Sequence, residues 1–157
     1  PRHTCDLIVE GAGGSLAGTT VTVCGVAYLA NVADSRNSPT EYLVRLLHET
    51  GANVLVHDPC INVWDEMPTV EVKKDLNECL RCSQGVVLAV PHAEYVELSA
   101  ADLCSHELTF VVDAQNIIND STADQLWRSG LCVLGVGKGH WRKRGYQWLP
   151  QQRTAAA

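Results

Sequence analysis

Short apolar runs recur along the chain, and the stretches between them carry hydrophobic residues at helical spacing. Residues 19–26 (TTVTVCGV) are β-branched and almost continuously apolar, the pattern of a strand buried on both faces. Ser38 then stands at a helix N-cap position with Pro39 at the first helical residue. Tyr42, Leu43, Leu46 and Leu47 share one face until Gly51, which predicts a helix over 39–50. Residues 53–57 (NVLVH) read as a second strand, ended by Asp58 and Pro59, because proline removes a ladder donor and restricts the residue before it.

The alternation continues with helical character over 73–82, a strand over 85–90 (GVVLAV) closed by Pro91, and a helix over 93–103. A strand over 108–112, a short helix over 122–129 and a last strand over 131–136 follow. Connections of this length cross back over a sheet, so the strands are expected to pair in parallel. The expected fold class is α/β: a doubly wound, Rossmann-like three-layer fold with a mainly parallel sheet. Residues 4–10 read as the last turns of a helix broken by Gly11, Gly13 and Gly14, which suggests a fragment that starts within a connecting helix. From Gly137 onward an irregular extension is expected.

At 157 residues, with 46% hydrophobic and 19% charged positions, the composition is that of one globular domain. A net charge of −6 repels a phosphate polymer, which argues against a nucleic-acid partner. No apolar stretch is long enough to span a membrane. The odd number of cysteines, seven, is scattered through core-like segments, which reads as reduced thiols in a cytoplasmic protein.

In open parallel sheets, ligands settle beyond the carboxyl ends of the strands. The loop after the first strand carries one guanidinium, Arg36, just before a helix start. It suits either anion capture or an ion pair with Asp34. The G-x-G-x-x-G turn of a dinucleotide site is absent, and Asp58 lies 33 residues after Gly25 where a ribose-binding acid stands about 20 on. The spaced glycines 135, 137 and 139 read as a turn or edge feature. Cys79 and Cys82 form a CxxC near a helix C-terminus without two further ligands, so neither zinc nor a redox dithiol is expected. His48, His57, His92, His106 and His140 show no metal spacing. The basic, aromatic tail (Lys138, Trp141, Arg142, Lys143, Arg144, Tyr146, Trp148) reads as a solvated tail or a subunit contact, with nucleotide stacking as the alternative.

The run GVAYLANVADSRNSP (25–39), followed by a helix and VHDP (56–59), resembles the C-terminal domain of the UDP-glucose/GDP-mannose dehydrogenase family, most like its UDP-N-acetylhexosamine members. The family pattern there is of the kind G-x-A-Y/F-K-x-N-x-x-D-x-R-x-S-P. AVPH (89–92) and VVDAQNII (111–118) continue the resemblance in order.

The resemblance implies a UDP-binding domain over 15–137, preceded by the tail of a connecting helix (1–14) and followed by a basic tail (138–157). It implies membership of an enzyme that uses NAD to oxidise the C6 alcohol of a UDP-sugar to a carboxylate. The family's NAD fold and catalytic cysteine lie in N-terminal and central domains outside this chain, so none of the seven cysteines is expected to be catalytic and the isolated chain is expected to be inactive. Tyr28, Leu29, Asn31 and Gln115 are the implied substrate-binding positions, and Arg36 is implied to reach toward NAD. Two of these depart from the family pattern: Leu29 replaces a lysine and Gln115 replaces a frequent arginine, leaving Asn31, Asn116 or Lys138 as alternative phosphate contacts. The alternative is a non-catalytic interaction module that associates with a protein or as a homodimer.

Overall fold

The computed structural model describes residues 1–148. A six-stranded sheet runs in the order β3-β2-β1-β4-β5-β6, with every neighbouring pair parallel. The strands are β1 (Thr20–Cys24), β2 (Asn53–His57), β3 (Val72–Lys73), β4 (Gly85–Leu88), β5 (Phe110–Asp113) and β6 (Cys132–Gly135). Helices α1 (Arg2–Gly11) and α2 (Pro39–Glu49) cover one face. The other is covered by α3 (Leu76–Arg81), α4 (Ala93–Val96), α5 (Ala100–Cys104), α6 (Asp120–Arg128) and α7 (Gly139–Arg144). This is the expected doubly wound α/β fold.

The continuous apolar character of the strands follows from that sandwiching. Val21, Val23, Val87, Phe110, Val112 and Leu134 pack toward α1 and α2, while Cys24, Val86, Leu88, Val111 and Val133 pack toward the opposite helices. Both sets are removed from water, which is the main favourable contribution to folding. Thr22 is the polar exception on β1, and its hydroxyl is satisfied by Ser83 Oγ at 2.7 Å and the Cys79 carbonyl at 3.2 Å.

Several expected boundaries shift for local reasons. The helix expected over 93–103 is two helices, because Ser99 and Asp102 form a reciprocal capping box that starts α5 afresh. The helix expected over 122–129 begins at Asp120, where the Asn119 side chain accepts the Thr122 N–H at 2.8 Å. The start of the helix expected over 73–82 is instead β3, an edge strand formed where Val56 pairs with Val72. Two residues are too few to carry a periodic signal.

The C-terminal segment is the larger correction. Rather than an irregular extension, residues after Gly137 form α7, whose Trp141 is buried, and Tyr146, which is buried as well. The Val133 N–H donates to the Tyr146 carbonyl at 2.9 Å, so this segment covers the outer edge of β6 and removes an open pairing edge. Gly135 serves this return: a Cβ there would meet Lys138 Cγ at 2.6 Å and Trp141 Cζ3 at 3.0 Å. The remainder of the tail, 149–157, lies outside the described residues. Among the described residues, no helix is long and apolar enough to cross a membrane.

Gly85 has the tightest surroundings, since a Cβ there would run into the Phe110 ring. Gly85→Ala is therefore expected to destabilise the fold by about 1–3 kcal/mol, the usual cost of overpacking. Gly139→Ala, with nothing within 4 Å of the added Cβ, is expected to stay within about 0.5 kcal/mol of the parent. Urea unfolding midpoints of the two variants check this.

Candidate functional site

The strand order reverses between β1, which leads out to β2 and β3, and β4, which leads to β5 and β6. The loops leaving the carboxyl ends of these strands converge there. Their shape is set from below by a buried carboxylate. Asp58, the residue after β2, is 2% exposed. Its Oδ2 accepts the N–H groups of Val26 (2.8 Å) and Ala27 (3.1 Å) from the β1 exit. Its Oδ1 accepts those of Cys60 (2.8 Å) and Ile61 (3.0 Å) from its own loop. Four backbone donors make a buried charge tolerable that would otherwise be costly.

His92, wholly buried, lies against the same carboxylate with Nε2 at 3.1 Å from Oδ2. Its Nδ1 accepts the backbone N–H of Asn31 at 2.9 Å, so the ring proton belongs on Nε2, which donates to Asp58. Asn31 has a left-handed φ of 60° and its Oδ1 accepts the Ala93 N–H at 3.0 Å. The middle of the first loop is thus tied to the start of α4 by two hydrogen bonds. Its far end is closed by Ser38, whose hydroxyl donates to the Ala27 carbonyl and caps Thr40. Beside this network Tyr95 donates to the His57 carbonyl at 2.9 Å, and burial pushes its phenol pKa up and that of His57 down.

From this fixed base the outer side chains of the loop face solvent: Tyr28 is 57% and Leu29 59% exposed. Tyr28, Asp34, Arg36 and Asn37 line one shallow crevice. Arg36 adopts the ion pair that the sequence left open. Its Nε donates to Asp34 Oδ1 at 2.9 Å and a terminal nitrogen to Oδ2 at 2.7 Å. These hydrogen bonds hold the Asp34 carboxyl down at about 2.

Gln115 is not in that crevice. It lines a second one with Ala89, Ala114 and Val136 from the strand exits, Thr4 of α1, and Pro39 and Thr40 of the first turn of α2. The Gln115 loop has its own buried carboxylate: Asp113 accepts the N–H groups of Gln115 (3.1 Å), Ile117 (3.0 Å) and Ile118 (2.8 Å). The neighbouring Lys138 donates to the Ile118 carbonyl at 3.1 Å and lies over the Trp141 ring. Of the sequence-derived positions, Tyr28 and Arg36 line the first crevice and Gln115 the second, while Leu29 is exposed outside both linings and Asn31 is bonded to His92 and Ala93.

Other chemistries have less support. Ligand atoms of Asp58, Cys60 and His92 lie within 4.8 Å of one another, as a metal cluster would. Both carboxylate oxygens and both ring nitrogens, however, are already used in the hydrogen bonds above, so a metal would have to break that network. Burial raises the thiol pKa values of Cys5, Cys24, Cys60, Cys79 and Cys132, with Cys79 at about 11, which disfavours the reactive thiolate. The β1 exit does not fit a dinucleotide pyrophosphate either. Gly25 is needed because a Cβ would meet Val90 Cβ at 2.5 Å, and Asp58 faces inward rather than toward a ribose.

Sequence reasoning missed His92, which reads as an isolated histidine, and took Asp58 only as a failed ribose acid. Apart from the Cys60 and Ile61 N–H groups beside Asp58, their partners lie 31 to 61 residues away, and no local spacing signals those.

A model described as the UDP-glucose/GDP-mannose dehydrogenase family, UDP binding domain, matches residues 22–120. The chain is 29% identical over 126 residues to a UDP-N-acetyl-D-mannosamine dehydrogenase of Methanococcus maripaludis, covering 77% of this chain and 27% of that protein. It is 32% identical over 123 residues to Protein CapL of Staphylococcus aureus, covering 71% and 27%. Among solved structures it resembles an NDP-N-acetyl-D-galactosaminuronic acid dehydrogenase from Methanosarcina mazei, with a TM-score of 0.78 and 28% identity, covering 87% of this chain and 29% of that one. The chain thus spans less than a third of the length of these proteins.

The Arg36–Asp34 pair makes a pH prediction. Asp34 has a depressed pKa in the fold, so the pair's contribution is present above the ordinary value of 3.8 and is lost as pH falls through about 2. Carboxyl carbon NMR titration is expected to place Asp34 near that lower value and to return it toward 3.8 in Arg36→Ala.

Proposed function

The chain belongs to the UDP-glucose/GDP-mannose dehydrogenase family through its UDP-binding domain, and from that membership we propose that residues 15–137 hold the uridine diphosphate part of a UDP-hexose or UDP-N-acetylhexosamine for a UDP-sugar 6-dehydrogenase. Residues 1–14 are the end of the helix that joins this domain to the rest of that enzyme, and the basic segment from residue 138 follows the UDP-binding part. NAD and the nucleophilic cysteine belong to N-terminal and central domains. The 157 residues by themselves bind without oxidising. The setting is cytoplasmic.

The observation that carries this reading is the loop after β1. It lies within the family match and at the carboxyl end of the sheet, and it projects Tyr28 and Leu29 from a base fixed by Asp58 and His92. Tyr28 is the aromatic that approaches the nucleotide, with Leu29 beside it. Gln115 contacts it from the second crevice, where the first turn of α2 presents its N-terminus. Arg36 is mostly exposed at 78%. It reaches NAD across the domain boundary only by leaving Asp34. By gripping the nucleotide, the domain orients the sugar C6 toward groups it does not itself contain, which uses remote binding energy for positioning.

One observation favours a second reading. Tyr28, Leu29 and Val32 are exposed apolar side chains on one loop, which suits a protein contact, including a homodimer, as well as a nucleotide. Light scattering separates the two: a dimer indifferent to UDP supports the interaction module.

Calorimetry with the 157-residue chain is expected to show weak UDP binding, with no NADH formed from NAD and UDP-hexoses. Leu29→Lys and Gln115→Arg each introduce a charge-assisted hydrogen bond to phosphate worth about 1.5–3 kcal/mol, and each is expected to tighten UDP by about tenfold to a hundredfold. Absence of UDP heat at millimolar ligand in all three proteins would overturn the proposal.

A further inference from the structure

We infer that His92 is the positioning residue of the nucleotide-facing loop: held between Asp58 and the Asn31 amide as its Nε2–H tautomer, it sets the conformation from which Tyr28 and Leu29 face outward. The nucleotide part of this inference rests on the proposed function. The loop-holding part stands on geometry alone.

The ring has little freedom to do anything else. It is wholly buried, stacks edge-on against Tyr95 with ring centroids 5.5 Å apart, and has Cys60 Sγ at 3.9 Å from Nδ1. The Nδ1–H tautomer would direct its N–H at the Asn31 N–H and the Nε2 lone pair at a carboxylate, two repulsive contacts in a buried site. Asn31 depends on the contact in turn. A left-handed φ is sparsely populated for a residue other than glycine, and the His92 acceptor and the Ala93 donor are the two groups that hold it there. Asn31 lies only two residues beyond Leu29, and the Tyr28 N–H donates to the Asp34 carbonyl at 2.8 Å. Releasing Asn31 therefore frees residues 29–33, the stretch whose two ends that hydrogen bond joins. A loop that must be ordered at the moment of binding gives weaker affinity than one ordered beforehand.

Two isosteric substitutions separate the two hydrogen bonds. The amide of asparagine reaches the place of Nδ1, so His92→Asn retains an acceptor for Asn31 and gives up the donor to Asp58. The amide of glutamine reaches the place of Nε2, so His92→Gln retains the donor to Asp58 and gives up the acceptor.

The experiment uses the 157-residue chain and three measurements: imidazole nitrogen NMR of the parent, amide hydrogen exchange at Asn31, and UDP calorimetry. Expected are a neutral Nε2–H tautomer for His92, Asn31 exchange at least tenfold faster in His92→Gln than in His92→Asn, and UDP affinity about threefold to tenfold weaker in His92→Gln, as for one neutral hydrogen bond. An Nδ1–H tautomer, or Asn31 exchange that accelerates equally in both variants in step with their loss of urea stability, would overturn the positioning role. If the parent gives no UDP heat, the nucleotide reading fails. The tautomer and exchange comparison still decides whether His92 holds the loop.

Discussion

A single ionised side chain under the carboxyl edge of the sheet organises the region to which function is assigned. Burying a carboxylate is unfavourable unless its lone pairs are filled. Asp58 fills them with four backbone N–H groups drawn from two different loops and one imidazole N–H. The requirement that all of these be met makes the β1 and β2 exits one rigid unit. Asp113 repeats the device at the end of β5, gathering three N–H groups of the loop that carries Gln115. Loops at the rim of a parallel sheet have no ladder to hold them, and two inward-facing carboxylates supply the missing partners.

This arrangement separates structural from recognition duties within one loop. Asn31 gives its backbone N–H to the buried His92 and its side-chain oxygen accepts the Ala93 N–H, while Tyr28 and Leu29, two or three residues earlier, are open to solvent and, among the described residues, without such bonds from their side chains. The outward positions are thereby free to vary without cost to the fold.

The opposite end of the sheet shows how the C-terminal segment completes the fold. Trp141 enters the core and its indole N–H donates to Asp120 Oδ1 at 2.8 Å, while His140 Nε2 approaches the same oxygen at 2.7 Å. The Arg142 guanidinium pairs with Glu10 of α1. The segment that looks basic and solvated in the sequence thus connects α6, β6 and α1, and much of its charge is used within the chain.

The elements most legible in the sequence are those whose signals are local. The both-face burial of β1, β4, β5 and β6 shows as uninterrupted apolar runs, the Ser38–Pro39 start of α2 shows as a cap, and the parallel order follows from connection length. The tertiary structure alone decided the existence of β3 and α7, which of the two readings of Arg36 holds, and above all the distant partners of Asp58 and His92. A capping box or a hydrophobic stripe is made by residues within a few positions of one another, so spacing reveals it. The hydrogen bonds of a buried polar group depend instead on which loops the strand order brings together, and Asn31 meets His92 across 61 positions for that reason and no nearer one.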